Sequence, residues 1–325
     1  MSLEIRGLNV DYQRPRMPPV RAVVDVDLDV LPGQVVGLVG ESGCGKSTLA
    51  RAAIGLVPRT SGTVVFHGME VTTLGNGARP RRLQRIQMVF QDPYASLNPR
   101  RKVGRQIADG LRSEVGDDSE RQSRVAALLD QVGLGASIAG RYPFEFSGGQ
   151  RQRIAIARAL ATDPEIIIAD EAVSALDAST QAQVANLLVG LARQRGAGLL
   201  FISHDLGIVR HISDTVAVMY LGRIVETGAT ESVWEHRSHP YTKALIAAVP
   251  RHDGSGTLPI PLEGEVPDPS RPPDGCRFHP RCPERIERCF TDGPELESIG
   301  EGHDAACWVA TTRVALTPRP DEEER

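Results

Sequence analysis

GESGCGKST, residues 40–48, follows the apolar run Val35–Val39 and precedes Leu49-Ala50-Arg51-Ala52-Ala53-Ile54, a helical stretch closed by Gly55. Gly40, Gly45, Lys46 and Ser47 fall on the phosphate-loop pattern, a glycine, four residues and then Gly-Lys-Ser, in the strand-then-helix setting that pattern requires. Glycines let the backbone wrap a phosphate closely enough for several N–H groups to point at it, and the following helix adds its positive N-terminal end. Gly40, Ser42, Gly43, Cys44, Gly45 and Thr48 are therefore candidate nucleotide contacts. Lys46 would reach the β- and γ-phosphates, and the Ser47 hydroxyl would ligate Mg2+. The loop by itself says nucleotide and leaves the function open.

The 325 residues suffice for about two domains. With 37 basic against 41 acidic residues and a formal net charge of −4, there is no polybasic signal for nucleic acid or anionic lipid. Arg79, Arg81, Arg82 and Arg85 form one local basic cluster, the pattern of a solvated helix face. No apolar stretch approaches the roughly 18 residues of a membrane span, and MSLEIRGLNV lacks the charged start and long apolar middle of a signal peptide. A cytoplasmic protein is expected, acting at a membrane only as a peripheral subunit.

Residues 3–10 and 23–31 alternate apolar and polar residues, as half-buried strands do, with Tyr12 between them, where its ring could stack on a purine. Ile86-Gln87-Met88-Val89-Phe90 is a short strand ending at Gln91 and stopped by Pro93; the Gln91 amide could contact Mg2+ and an attacking water. From about 96 to 160 the composition turns helical, with an apolar period over 121–129. This inserted segment ends in Ser147-Gly148-Gly149-Gln150, directly before the amphipathic RQRIAIARALATDP. A serine and two glycines at a helix N-terminus make a second anion site, or simply a cap. Glu165–Glu171 (EIIIADE) is a fully apolar strand ending in two carboxylates, the pattern of a buried parallel strand whose carboxyl end faces a ligand. Asp170 would hold the Mg2+ hydration shell and Glu171 would polarise the water. After Ser174-Ala175-Leu176-Asp177 and a helix over 180–194, the buried strand 198–203 ends at His204, and 216–225 reads as a hairpin.

Taken in order, phosphate loop, strand-end glutamine, Ser-Gly-Gly-Gln, Asp-Glu, Ser-Ala-Leu-Asp and strand-end histidine resemble the ATP-binding subunits of ABC transporters over roughly residues 3–250. The resemblance implies an ABC-type α/β P-loop ATPase with a parallel core sheet, an N-terminal antiparallel β subdomain, an inserted helical subdomain and a small Cys-rich C-terminal extension. Residues 1–250 would form the ATPase domain. It further implies that Tyr12 stacks on adenine, that Lys46, Ser47 and Thr48 bind phosphate and Mg2+, and that Gln91 senses the membrane subunits. Ser147, Gly148, Gly149 and Gln150 correspond to the signature that binds the γ-phosphate of ATP on an opposing subunit. Asp177 corresponds to the residue crossing the dimer seam, Glu171 to the general base and His204 to the γ-phosphate switch. Ala172 departs from the usual proline after the base, and Phe146 from the usual leucine before the signature.

MVFQDPYASLNPR (88–100), RYPFEFSGGQRQRIAIARAL (141–160) and HPYTKALIAAVP (239–250) narrow the resemblance to ATPases of oligopeptide and dipeptide importers, and to the second of their two ATPases. The implied partners are a second, non-identical ATPase, two transmembrane permease subunits and an extracytoplasmic substrate-binding protein, with this chain at the cytoplasmic face of the membrane. The alternatives are an importer ATPase for another solute such as nickel or an oligosaccharide, which relatives carry, and a soluble ABC ATPase outside transport.

Residues 251–275 are rich in Pro and Gly and read as a connection. Within 276–325, Cys276, Cys282, Cys289 and Cys307 crowd together in a segment too poor in apolar residues to form its own core. Disulfides suit the count but not a reducing compartment. A zinc site usually uses cysteines two to four residues apart, which none of these intervals shows, although His279 or His303 could replace one ligand. Four cysteines also suit an iron–sulfur cluster. The resemblance to peptide-importer ATPases, some of which carry a 4Fe–4S cluster in this region, puts the cluster first and Zn2+ second.

Overall fold

The computed structural model describes residues 2–75, 77, 79–111, 117–249 and 264–316. Most of the Pro/Gly-rich connection therefore lies outside the described residues. Twelve strands form two sheets among those residues. The smaller is antiparallel, in the order β2 (Met17–Val30), β1 (Leu3–Arg14), β4 (Ser61–Phe66), β5 (Met69–Glu70). The larger has eight strands. Its centre is built from β3 (Val35–Val39), β6 (Ile86–Val89), β7 (Ile166–Asp170), β8 (Gly198–Ile202) and β9 (Thr215–Tyr220), all parallel to one another. Beyond β9 the sheet turns antiparallel through β10 (Arg223–Ala229), β12 (His303–Ala305) and β11 (Glu297–Gly300).

Strands β3, β7 and β8 are buried along their whole length, which is why their sequences are continuously apolar rather than alternating. One face of the sheet carries Val36, Leu38, Ile168 and Leu200. They pack with Leu49, Ala50 and Ala53 of α1 (Lys46–Ala53), and with Leu3, Ile5 and Val26 of the small sheet. The opposite face carries Val35, Val39, Ile167 and Phe201, and packs on α5 (Gly148–Leu160), α6 (Ala178–Gln194) and α7 (Leu206–Ile212). Helices α2 (Pro93–Ser96), α3 (Val103–Ala108) and α4 (Asp118–Gln131) stand with α5 as the expected helical insertion. No helix among the described residues is long and apolar enough to cross a membrane.

Two expectations change. Tyr12 lies inside β1, paired with Val20, because β1 and β2 run on to an Arg14–Met17 closure well past the alternating segments. Pro18 and Pro19 do not stop β2, since it is an edge strand. The second change is in the Cys-rich extension, which joins the core sheet: β12 pairs with β10 in the register Glu226–Ala305, Thr227–Asp304, Gly228–His303. The Nε2 of buried His303 lies 2.8 Å from the fully buried Glu226 carboxylate at this seam. Glu226 also accepts the N–H groups of Ser238 and His239, which lead into α9 (Pro240–Ala247) after α8 (Thr230–His236). The chain closes with α10 (Trp308–Leu316).

Candidate functional site

Parallel registry sets the site. Leu38 of β3 and Asp170 of β7 both align with Ile202 of β8, and Val89 of β6 aligns with Ala169. The four strands therefore end level, and the phosphate loop, Gln91, Asp170-Glu171 and His204 emerge along one edge, where open α/β sheets bind ligands. A cavity of about 370 Å³ opens there, lined by Tyr12, Arg21, Ser42, Gly43, Cys44, Gly45, Lys46, Ser47, Thr48, Gln91, Glu171 and Pro269.

Two glycines make the loop possible. Gly45 sits at φ 113°, where a Cβ would meet the Ala22 carbonyl oxygen at 2.1 Å, and a Cβ on Gly40 would meet the Met219 oxygen at 2.2 Å. The Lys46 ammonium, 4% exposed, donates to the carbonyls of Gly40 (2.8 Å) and Glu41 (2.9 Å). Those are neutral acceptors that a phosphate oxygen can replace at lower energy. The Cys44 thiol is buried, and burial raises its pKa against the opposing charge of Lys46, so it behaves as a small packed residue.

The Ser47 hydroxyl donates to Asp170 Oδ1 at 2.7 Å, and Arg51 reaches the other carboxylate oxygen at 3.8 Å. Burial raises the Asp170 pKa, and the Glu171 charge adds to this, against the Ser47 hydrogen bond and the charge of Arg51. A hydroxyl and a carboxylate in contact are the hard oxygen donors that Mg2+ prefers. Glu171 has a left-handed backbone, φ 46°, uncommon outside glycine. Its N–H donates to Ile202 O (3.0 Å), its carbonyl accepts the Ser174 hydroxyl (3.0 Å), and its carboxylate accepts the Gln91 amide (2.9 Å). His204, with its side chain 57% exposed, holds Nδ1 3.8 Å from the same Glu171 oxygen. Tyr12 Oη lies 3.3 Å from the Thr48 hydroxyl at the cavity's other end.

Some expected residues stay apart. Ser147 caps α5 in a reciprocal box with Gln150, and none of Ser147, Gly148, Gly149 and Gln150 lines the cavity. Asp177 caps α6 through the Thr180 N–H (2.9 Å) and accepts the Ser179 hydroxyl (2.7 Å), which lowers its pKa to about 2.

All five cysteines are free. Cys276 and Cys282 each sit within electrostatic reach of the other cluster thiols. Yet among the described residues no three of His, Cys, Asp or Glu are arranged to hold a metal ion. Burial pushes the Cys276 and Cys282 thiols up to about 11.

Sequence reasoning missed Ser174, Arg51, Tyr241 and Arg281. Ser174 stood inside the recognised Ser-Ala-Leu-Asp motif without a role of its own, whereas Tyr241 and Arg281 reach the loop from about 200 and 240 residues away. A larger cavity, about 640 Å³, opens between the extension and β9–β10, lined by Arg21, Tyr220, Arg223, Arg277 and Phe278. It holds none of the catalytic groups, so size does not mark the site.

A family model described as ABC transporter matches residues 23–174, and another described as oligopeptide/dipeptide transporter, C-terminal region, matches residues 225–289. The chain is 47% identical over 290 residues to the di/tripeptide transport ATP-binding protein DppF of Pseudomonas aeruginosa, covering 89% of this chain and 90% of the relative. It is 46% identical over 301 residues to the oligopeptide transport ATP-binding protein AppF of Bacillus subtilis, covering 91% of each. Among solved structures, the dimeric post-hydrolysis state of the ATP-binding cassette MJ0796, bound to ADP and Pi, superposes with a TM-score of 0.62 at 26% identity. That match covers 71% of this chain and 99% of the other. cbiO1 of Clostridium perfringens, part of the ABC transporter complex cbiONQ, also gives 0.62 at 26% identity, covering 72% and 91%.

Proposed function

The chain belongs to the ATP-binding subunits of ABC transporters, and from that premise we propose that it hydrolyses ATP to energise the import of oligopeptides and dipeptides. The observation that carries the reading is the division of labour between adjacent carboxylates: Asp170 is engaged by Ser47, whereas Glu171 faces Gln91 and His204. In this reading Lys46 binds the β- and γ-phosphates of ATP, and Tyr12 stacks on its adenine. Ser47 and Asp170 hold Mg2+, with Gln91 beside them, and the ion would neutralise charge on the phosphates. Glu171 takes a proton from the attacking water, and His204 contacts the γ-phosphate. The peptide cargo is supported by the C-terminal family match and by the names of the relatives.

The partners follow from the same reading: a second, non-identical ATPase, two membrane permease subunits and an extracytoplasmic binding protein, with this chain peripheral at the cytoplasmic face. A groove of about 480 Å³ beside the Gln91 strand suits a permease segment, lined by Leu56, Met88 and Phe90 with Arg79 and Arg158. Among the described residues Arg79 Nε and Nη2 have no hydrogen-bond partner, so an acidic group on that segment would be favoured. A 4Fe–4S cluster, or Zn2+ second, would take the four extension thiols as its ligands; the support for this is their number and their free state, since the described residues do not form a metal site as they stand. Iron, sulfide and zinc analysis of chain purified without oxygen decides between these two.

The test of function is the reconstituted complex. ATP turnover should rise when binding protein and a short peptide are added, and a chain that turns over no ATP in the complex would remove the reading.

A further inference from the structure

Glu41 places a carboxylate inside a loop built to bind a polyanion, and every polar group of this residue is gripped. Its N–H donates to Tyr241 Oη at 2.8 Å, and its carbonyl accepts the Lys46 ammonium at 2.9 Å. Its carboxylate takes both ends of the Arg281 guanidinium, at 2.7 and 3.1 Å. The Arg281 side chain is 3% exposed, that of Glu41 25%. Arg281 belongs to the Cys-rich extension, one residue before Cys282 in a segment tied by the Cys276 N–H to the Cys289 carbonyl at 2.9 Å. Phe278 of the same segment packs edge-on to Tyr220 at 5.3 Å and against Tyr241 at 5.4 Å, which fixes the approach of Arg281. Burial works to lower the Arg281 pKa, but its hydrogen bonds to Glu41 and Tyr220 prevail and hold it above the ordinary value, so the guanidinium is charged. The connection leading into the extension also reaches the cavity's other end, where Pro269 lies with Tyr12 in the lining.

We propose that Arg281 is a positioning residue for nucleotide binding: it fixes the phosphate loop from behind and cancels the Glu41 charge that would otherwise repel the phosphates of ATP. The bidentate fork matters because a planar guanidinium holds a carboxylate in one orientation, which a point charge does not. The extension is thus part of the nucleotide site. Loss of its order is read directly by the loop. This inference rests on the nucleotide reading of that loop.

The test uses the full chain with a fluorescent ATP analogue, alongside steady-state kinetics in the complex. Binding of the analogue by the unaltered chain is measured first, and its absence would overturn the nucleotide reading itself. Given that binding, Arg281→Gln should raise Kd and KM for ATP about tenfold, with kcat changing less than twofold, because one uncompensated charge near a polyanion is worth about that much. Added salt should shrink the loss. Arg281→Lys should recover part of the affinity. The deciding variant is Arg281→Gln with Glu41→Gln: removing the carboxylate should return most of the affinity, although thermal stability without nucleotide stays lowered in both. An unchanged Kd in a folded Arg281→Gln chain, or a double variant binding as poorly as Arg281→Gln, would overturn the proposal and leave Arg281 a staple of the extension.

Discussion

At the scale of single residues, Glu171 combines a costly backbone with a usable carboxylate. The left-handed φ of 46° costs on the order of 1 kcal/mol for a residue bearing a Cβ. It is held by three neighbours: Ile202, Ser174 and Gln91. The turn after β7 swings the Glu171 side chain away from Asp170, so that one acid sits at Ser47 and the other at the cavity lining. Glu171→Gln keeps the shape and the backbone but cannot take a proton. Steady ATP turnover should fall at least about a hundredfold, the usual lower range for losing a general base. ATP binding should survive and an ATP-held dimer should accumulate. Turnover within tenfold of the unaltered chain would remove Glu171 as the base.

At the scale of elements, α9 shows how a helix cap can make stability depend on pH. His239 is its N-cap, and Nδ1 accepts the Tyr241 N–H at 3.0 Å, which only an unprotonated nitrogen can do. Burial lowers the His239 pKa to about 4, with Lys243 adding to this and Glu226 and Glu284 opposing it. A depressed histidine binds fewer protons folded than unfolded, so its contribution is complete above about 6.5 and is lost as pH falls toward 4. The shift corresponds to about 3 kcal/mol. His239→Asn keeps a capping oxygen without the titration; it should flatten the stability profile between those pH values, even if it lowers stability at pH 7. Parallel melting curves for the two chains across that window would sink the argument. Much of this scale was legible in advance. The continuous apolar runs of β3, β7 and β8 and the helical period of α4 announced themselves, and with them the strand-end residues of the site. The extension did not, because Glu297–Gly300 and His303–Ala305 are polar, short and without alternation. What places them is the buried His303–Glu226 contact and the ladder to β10, tertiary facts that no local pattern carries. The Arg281–Glu41 pair escaped for the same reason.

At the scale of the whole molecule, the proposed function needs a second chain, since in that reading this cavity is only half of a catalytic site. The phosphate loop, Asp170, Glu171 and His204 lie together at the strand ends of one chain, yet the start of α5 is not in the lining of the cavity that the loop and Glu171 share. A γ-phosphate in the cavity would meet the α5 dipole only if a second chain presented it. Gly148→Asp isolates that requirement. A Cβ at 148 would find only Leu176 Cδ2 at 3.5 Å, ordinary contact, and an acid in the first turn suits the dipole of its own helix. The variant should therefore fold, and it should bind ATP on its own phosphate loop within about twofold of the unaltered chain, since no charge has been placed in its own cavity. Facing the opposing subunit's γ-phosphate, the new carboxylate repels the group that holds the closed pair together. ATP-dependent association and turnover at that opposing site should be lost, and the defect should sit in the partner's site rather than in this one. A Gly148→Asp chain that pairs and sustains turnover at the opposing site would mean that α5 takes no part in catalysis. A chain that loses its own ATP binding would mean that α5 serves the site of its own chain.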